Sequence, residues 1–298
     1  MNKACVFFKI SDLVMHYPRN FKKYPDVTRV KNFVYDEKFG NFTRADLLYL
    51  TNQTGKRPIV VNVHGGGFVK GDKRHRRAIC SEYARLGYFV YNVNYRTAPD
   101  YPLPNGCYDV VNAINKLPSL ADEYSLDLNK IVFTGDSAGA FYAASAVLAC
   151  VSEEYRKLLG VAEPLVKPTA FMGFCGAYRL GDILKRKTPL NIAASIADAL
   201  MGEKCDIKVV DKHPNFVYTD LIPYVNETFP KSLLVYSTHD DFCGGQGELM
   251  QEKLISSGVS VETFIATGEK DIHCFHLLPK HKTTPACMEK VRDYLKKI

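Results

Sequence analysis

Residues 130–150, "KIVFTGDSAGAFYAASAVLAC", join an apolar run to a run of small residues through two glycines. The run "KIVF" is typical of a buried strand, and the small residues that follow are typical of a closely packed helix. Between them, "GDSAG" has the G-x-S-x-G pattern of a nucleophile elbow, a strand-to-helix turn too tight for side chains at positions 135 and 139. The pattern predicts that Ser137 projects above the carboxyl end of a sheet, at the positive end of the helix dipole.

Outward from this stretch, strand-like runs alternate with helical segments. The strand-like runs are 58–65, 88–96, 129–137, 168–176, 232–240 and 259–267, and the helical segments are 74–86, 108–117, 139–157 and 246–257. This alternation predicts an α/β fold with a mostly parallel central sheet and helices on both faces. Period-two alternation in residues 32–51 predicts an antiparallel hairpin at the sheet edge.

One stretch interrupts the alternation. Residues 181–226 are helix-like and then irregular, with no convincing strand. We interpret residues 1–298 as a single domain in which 181–226 form a cap or lid insertion, joined by residues 1–30.

Composition restricts the class of protein. No apolar run reaches the roughly 18 to 20 residues that cross a bilayer, so stable membrane insertion is not expected. The nine cysteines include no C-x-x-C pair, which predicts reduced thiols and a cytoplasmic location rather than a disulfide framework or a zinc knuckle. The net charge of +7 comes without a recognisable nucleic-acid-binding motif, so no nucleic-acid partner is expected.

A serine nucleophile needs a base, and the base needs a carboxylate that holds it in the right tautomer. After a nucleophile elbow the partners follow in the order acid, then histidine. Asp240 and Asp241 follow the strand-like run "SLLVYST", and His273 and His276 follow the next one. Counting forward from the strand favours Asp240 as the acid, and counting back from Gly247 favours Asp241.

Five segments together resemble the hormone-sensitive-lipase-like branch of the α/β-hydrolase esterases. They are "HGGGF" (64–68), "YRTAPDYPLP" (95–104), "GDSAG" (135–139), "DFCGGQG" (241–247) and "HCF" (273–275). The resemblance implies a triad of Ser137, Asp241 and His273, with Asp241 preferred because an apolar residue follows it, as in the family pattern. It also implies an oxyanion hole formed by the backbone N–H groups of Gly65, Gly66 and Ala138, and no metal or organic cofactor.

The function implied is that of a serine carboxylesterase acting on short-chain acyl esters through an acyl-enzyme. Two alternatives stay open: an arylformamidase-like amidase with the same triad, and a non-catalytic ligand-binding member of the fold. The expected partner is a small-molecule ester, and a homodimer is compatible with the sequence.

Other polar residues near these segments have structural interpretations. Arg96 and Asp109 are expected to join the proline-rich loop by a salt bridge. Asp136 is expected to orient the neighbouring backbone, and His64 to order the glycine loop rather than act as the base. The basic run "KGDKRHRR" (70–77) is typical of the solvated side of a helix, with attraction of anionic substrates as the alternative.

Overall fold

The computed structural model describes residues 2–298. Its strands are β1 (Val27–Val34), β2 (Arg44–Leu50), β3 (Arg57–Val63), β4 (Phe89–Val93), β5 (Leu126–Asp136), β6 (Ala170–Phe174), β7 (Lys231–Ser237) and β8 (Val261–Ala266). Its helices are α1 (Lys3–Asn20), α2 (Arg77–Arg85), α3 (Asn105–Asn115), α4 (Ala121–Tyr124), α5 (Ala138–Val151), α6 (Glu153–Leu159), α7 (Leu180–Leu184), α8 (Ile192–Met201), α9 (Gln246–Ser256) and α10 (Thr284–Leu295). Among the residues described, no helix has the length and hydropathy needed to cross a membrane.

The strands form one eight-stranded sheet in the order β1-β2-β4-β3-β5-β6-β7-β8. From β4 to β8 all neighbours are parallel, and β2 pairs antiparallel with both β1 and β4. The predicted α/β fold and the antiparallel edge hairpin are therefore confirmed. The strands β4, β6 and β7 and the second halves of β3 and β5 are nearly continuous apolar runs because both faces of the sheet bury them.

Two apolar cores fill the two faces of the sheet. The larger one contains residues of α3, α5, α8 and α9, and the smaller one contains residues of α2 and α10. Because a parallel sheet is stable only when both faces are covered, these two helical layers hold the carboxyl ends of β3, β5, β7 and β8 at one edge. The loops that leave this edge carry the site.

The segment 181–226 contains most of α7, all of α8 and several short 3₁₀ turns. The first helix, α1, lies against it: Asn2 Nδ2 donates to Ser195 O (2.7 Å), and the N–H of Ala4 donates to Ser195 Oγ (3.1 Å). The two ends of the expected cap therefore contact each other.

Candidate active site

Ser137 occupies the turn between β5 and α5. Its backbone has φ 54° and ψ −123°, in a region that L-residues rarely adopt. A Cβ on Gly139 would collide with Val63 O of the neighbouring strand, so only glycine permits the helix to start this close to the sheet. The N–H of Ser137 donates to Phe174 O (2.9 Å), which ties the strained turn to β6.

The structure brings His273 to this serine. His273 Nε2 lies 2.9 Å from Ser137 Oγ, and His273 Nδ1 lies 2.8 and 2.9 Å from the two carboxylate oxygens of Asp240. The three residues come from loops after β5, β7 and β8, so their meeting is a consequence of the parallel sheet order.

The expected acid, Asp241, is wrong as the partner of His273: Asp240 takes that position. Asp240 is 7% exposed, and its Oδ1 also accepts hydrogen bonds from the N–H groups of Phe242 (2.9 Å) and Cys243 (2.8 Å). These bonds fix the Asp240 side chain in its own turn, and this side chain is the one directed at His273, whereas the adjacent Asp241 is exposed. The distance from the end of the strand correctly favours Asp240 as the acid, whereas the apolar residue that follows Asp241 wrongly favours Asp241.

The charges around His273 favour its protonated form. Burial lowers its pKa, but Cys274 and the Asp240 carboxylate act in the opposite direction, and the pKa of His273 lies well above the usual value. By contrast, burial lowers the pKa of His64 to about 4 and that of His276 to about 3. His64 and His276 are therefore uncharged at neutral pH, and among the described residues it is the His273 ring that hydrogen-bonds to Ser137 Oγ.

His64 has the surroundings of a structural residue. Its ring stacks on Tyr95 with the centroids 4.4 Å apart, its Nδ1 lies 3.0 Å from Gly65 O, and its own carbonyl accepts from the Tyr95 hydroxyl (2.6 Å). These contacts fix the start of the glycine loop.

The glycine loop passes directly beside the nucleophile. A Cβ on Gly65 would lie 2.5 Å from Asp136 Oδ2 and 3.1 Å from Ser137 Cβ, and a Cβ on Gly66, whose φ is 150°, would collide with Lys70 O. Neither position accepts a side chain without movement of its neighbours. The N–H of Ala138 lies at the first turn of α5, beside Ser137, so Gly65 and Ala138 both adjoin the serine, and Gly66 follows Gly65 in the same loop.

Asp136 forms a buried ion pair that the sequence did not reveal. Its two carboxylate oxygens accept from Arg76 Nε and Nη2, both at 2.6 Å. Burial raises the pKa of Asp136, but the charge and the hydrogen bonds of the Arg76 guanidinium lower it, as does the charge of Arg19, and the pKa lies far below its usual range. Asp136 is therefore a permanent carboxylate that is already paired, which agrees with a structural role.

Arg76 belongs to the basic run 70–77, and the expectation that this run is solvated was wrong. Lys73, His75 and Arg76 are only 6%, 6% and 3% exposed, and Lys73 Nζ lies 3.2 Å from Asp46 Oδ1. The acids that pair with this run, Asp46 and Asp136, are far from it in the chain, so the sequence alone does not show that the run is buried. The expected salt bridge between Arg96 and Asp109 is present at 2.7 Å.

Aromatic side chains close the site from above. Phe242 lies 5.2 Å from the His273 ring, centroid to centroid, and Phe8 of α1 lies 6.3 Å from Phe242. Phe8 also occupies the space where a Cβ on Gly67 would be. Ser137 is only 9% exposed, and a separate cavity of about 540 Å³, lined by Arg19 and His276 among others, does not include Ser137.

Comparison with known proteins supports the same fold. Esterase B of Lactobacillus rhamnosis superposes with a TM-score of 0.80 at 22% identity, covering 99% of this chain and 95% of that one. A bacterial heroin esterase superposes with a TM-score of 0.77 at 19% identity, covering 99% and 92%. At these identities the likeness establishes the fold.

Relatives by sequence carry esterase names. An arylesterase of Saccharolobus solfataricus is 28% identical over 223 residues, which are 73% of this chain and 68% of that protein. A chloroplastic tuliposide A-converting enzyme of Tulipa gesneriana is 28% identical over 281 residues, and the match spans 85% of this chain but 66% of the tulip enzyme. The chain thus spans just under two thirds of the length of that relative.

A model of the protein family described as BD-FAE matches residues 45–254, more than half of the chain. The match includes the glycine loop, the elbow and the acid turn, and the resemblance to the hormone-sensitive-lipase-like esterases is confirmed. The chain belongs to the BD-FAE family of α/β-hydrolases.

Proposed function

We propose that this chain hydrolyses carboxylic esters, with Ser137 as nucleophile, His273 as general base and Asp240 as the acid that orients the base. The observation that carries the proposal is the continuous hydrogen-bonded series from Asp240 through both ring nitrogens of His273 to Ser137 Oγ, at 2.8 and 2.9 Å. These distances are within the reach that proton transfer requires.

The reaction follows from the positions of these atoms. His273 Nε2 accepts the proton of Ser137 Oγ as the oxygen attacks the ester carbonyl, and the resulting imidazolium is stabilised by Asp240 on its other nitrogen. The imidazolium then gives its proton to the departing alcohol. Water, activated by the same nitrogen, attacks the acyl-enzyme, and the acid product leaves Ser137 free.

We propose that the oxyanion is held by the backbone N–H groups of Gly65, Gly66 and Ala138. Among the described residues, none of these three groups donates a hydrogen bond to a protein acceptor outside regular secondary structure. A backbone donor aimed at a developing oxyanion typically stabilises the transition state by about 2.7 to 4 kcal/mol.

We also propose that α1 and residues 181–226 act as the cap of this single domain. The contacts of Asn2 and Ala4 with Ser195, and the aromatic cover over His273, support this interpretation. A cap that leaves so little of Ser137 exposed favours short acyl chains and small alcohols, and the name of the arylesterase relative favours phenolic esters among them.

The experiment is a rate profile over p-nitrophenyl esters of increasing acyl length, with Ser137→Ala as the blank. We expect the rate to be highest for the shortest chains and to be abolished in the variant, whose unfolding temperature stays that of the parent. Turnover retained by the folded variant would overturn the assignment of Ser137.

Two further measurements separate the alternatives. Relative rates on matched ester and formamide substrates distinguish an esterase from an amidase with the same triad. Stoichiometric labelling of Ser137 by an organophosphonate distinguishes both from a ligand-binding protein.

The cellular setting is part of the proposal as well. All nine cysteines are free thiols, which supports a reducing, cytoplasmic location. The homodimer stays a prediction, which sedimentation analysis of the purified chain tests.

A further inference from the structure

Two of the buried cysteines beside the triad contact each other and take no part in the proposed reaction. Cys175 follows β6, and Cys274 follows His273, with only 1% and 6% of their surfaces exposed. Both have positive φ, 44° and 59°, a conformation that few residues other than glycine, asparagine and aspartate adopt. Backbone strain of this kind clusters at functional sites.

The two loops that carry these cysteines are in direct contact. The N–H of Cys274 donates to Cys175 Sγ at 3.4 Å across 99 residues of sequence. The contact exists because both loops leave the carboxyl edge of the sheet, one after β6 and the other after β8.

Together with His273 these thiols form a compact set of ligand atoms. The two Sγ atoms and a ring nitrogen of His273 all lie within 4.8 Å of one another, and no other trio of His, Cys, Asp or Glu in the described chain is so arranged. Sulfur and imidazole nitrogen are the ligands that bind Zn²⁺ at about 2.3 and 2.0 Å. Three ligand atoms this close together can reach one ion once side-chain rotation shortens their separations.

The neighbouring carboxylates already have hydrogen-bond partners, so they are not counted among the metal ligands. Asp136 Oδ2 lies 3.8 Å from Cys274 Sγ, but both of its oxygens accept from Arg76. Asp240 accepts from His273 and from its own turn. The protein thus supplies two sulfurs and one nitrogen, a set that favours zinc and related soft divalent ions over magnesium or calcium.

We propose that Cys175, Cys274 and His273 form a binding site for a soft divalent transition metal, with Zn²⁺ as the representative ion, and that the bound ion inhibits hydrolysis. Both ring nitrogens of His273 are in use, one by Asp240 and one by Ser137. Whichever nitrogen coordinates the metal, one of these two hydrogen bonds is lost and with it the base. Binding releases the proton of each thiol that becomes a ligand.

Metal binding itself is independent of the proposed function, whereas the inhibition rests on it. The first measurement is therefore spectroscopic: Co²⁺ is titrated into the purified full chain, and thiolate-to-cobalt charge-transfer absorption is recorded. We expect one equivalent to bind in the parent, and the absorption to be lost in Cys175→Ser and in Cys274→Ser. Cys205→Ser is the matched control, because Cys205 is a more accessible thiol outside the trio, and it should bind as the parent does.

The second measurement is zinc inhibition of p-nitrophenyl acetate hydrolysis and its reversal by EDTA. A phosphine reductant is present throughout, so that a disulfide between the two cysteines cannot cause the loss of activity. We expect each serine variant to require about tenfold more zinc or higher for half-inhibition, since loss of an outer-shell partner alone typically costs 10- to 100-fold in metal affinity.

The outcomes are distinguishable. Absence of cobalt–thiolate absorption in the folded parent overturns the site, as does zinc sensitivity that is unchanged in both folded serine variants. If one variant fails to fold, as judged by circular dichroism, the other still decides. A parent that binds cobalt through the cysteines but hydrolyses no ester overturns the proposed function and leaves the metal site standing.

Discussion

The carboxylate of Asp240 lies 2.8 Å from His273 Nδ1 and accepts two backbone hydrogen bonds from its own turn. We expect Asp240→Asn to lower kcat by about 10⁴-fold, because the amide leaves the imidazole in the wrong tautomer. The neighbouring Asp241 is exposed, so Asp241→Asn is the matched control and should keep nearly full activity. Steady-state kinetics on p-nitrophenyl acetate measure both, and a larger loss in the Asp241 variant would contradict the geometry.

The pH dependence of hydrolysis tests the electrostatics of the same pair. His273 accepts a proton only when uncharged, and its pKa is raised. We therefore expect kcat/KM to increase with pH through a pKa above the usual 6.5 of histidine. Asp240→Asn removes a negative charge that stabilises the imidazolium, so the acidic limb should move to lower pH.

NMR titration of the His273 ring gives the same pKa without turnover. If the acidic limb of the pH–rate profile lies at the same pH in the parent and in Asp240→Asn, Asp240 does not raise the pKa of His273. His64 and His276, with pKa values lowered to about 4 and 3, should not titrate in this range.

The glycine loop is tested by adding one methyl group. In Gly65→Ala the new Cβ would lie 2.5 Å from Asp136 Oδ2 and 3.1 Å from Ser137 Cβ, which displaces the proposed donor. We expect kcat/KM to fall by 10²- to 10³-fold, the typical effect of losing one oxyanion donor.

Gly160→Ala is the control for that substitution. Gly160 has φ 66°, and no atom lies within 4 Å of the position that a Cβ would take there, so the change costs about 1 to 2 kcal/mol of backbone strain without touching the site. We expect lower thermal stability and unchanged kcat/KM. Equal kinetic losses in the two variants would mean that the effect of Gly65→Ala is general destabilisation.

Removing one partner of the buried ion pair between Arg76 and Asp136 should strongly destabilise the protein. Arg76→Met leaves Asp136 charged, buried and unpaired, and we expect the free energy of unfolding to fall by about 3 to 5 kcal/mol. Arg85 and Asp26 form a pair at 2.8 Å whose side chains are 46% and 42% exposed, and Arg85→Ala should cost less than about 1 kcal/mol. Urea denaturation of both variants measures the difference, and similar losses would refute the importance of burial.

The aromatic cover should control access to Ser137. Phe8→Ala removes the ring that packs against Phe242 and Gly67, and we expect faster inactivation by a bulky organophosphonate because the nucleophile becomes more accessible. Leu13 lies on the same helix but is 79% exposed, so Leu13→Ala should inactivate at the parental rate. An unchanged rate in Phe8→Ala would place the entry route elsewhere.

Much of the fold could be predicted from local patterns. The sequence predicts the strands and the elbow because each depends on neighbours in the chain: apolar runs for buried strands, and glycines at 135 and 139 that permit one tight turn. Helix α1, by contrast, does not follow from the sequence pattern. Its apolar residues face both the core and solvent, with Ala4 buried and Leu13 exposed, and this leaves no clear amphipathic pattern.

The sequence by itself determined the alternation of strands and helices after residue 57 and the position of Ser137 at a tight turn, and its resemblance to a known family indicated His273 as the base. Tertiary structure alone decided which of two adjacent aspartates faces His273, because that choice depends on how the turn 240–243 caps itself. It also decided that Arg76 is buried against Asp136 and that Cys274 meets Cys175. These contacts join residues far apart in the chain, and only the packing of loops at one edge of the sheet brings them within hydrogen-bonding distance.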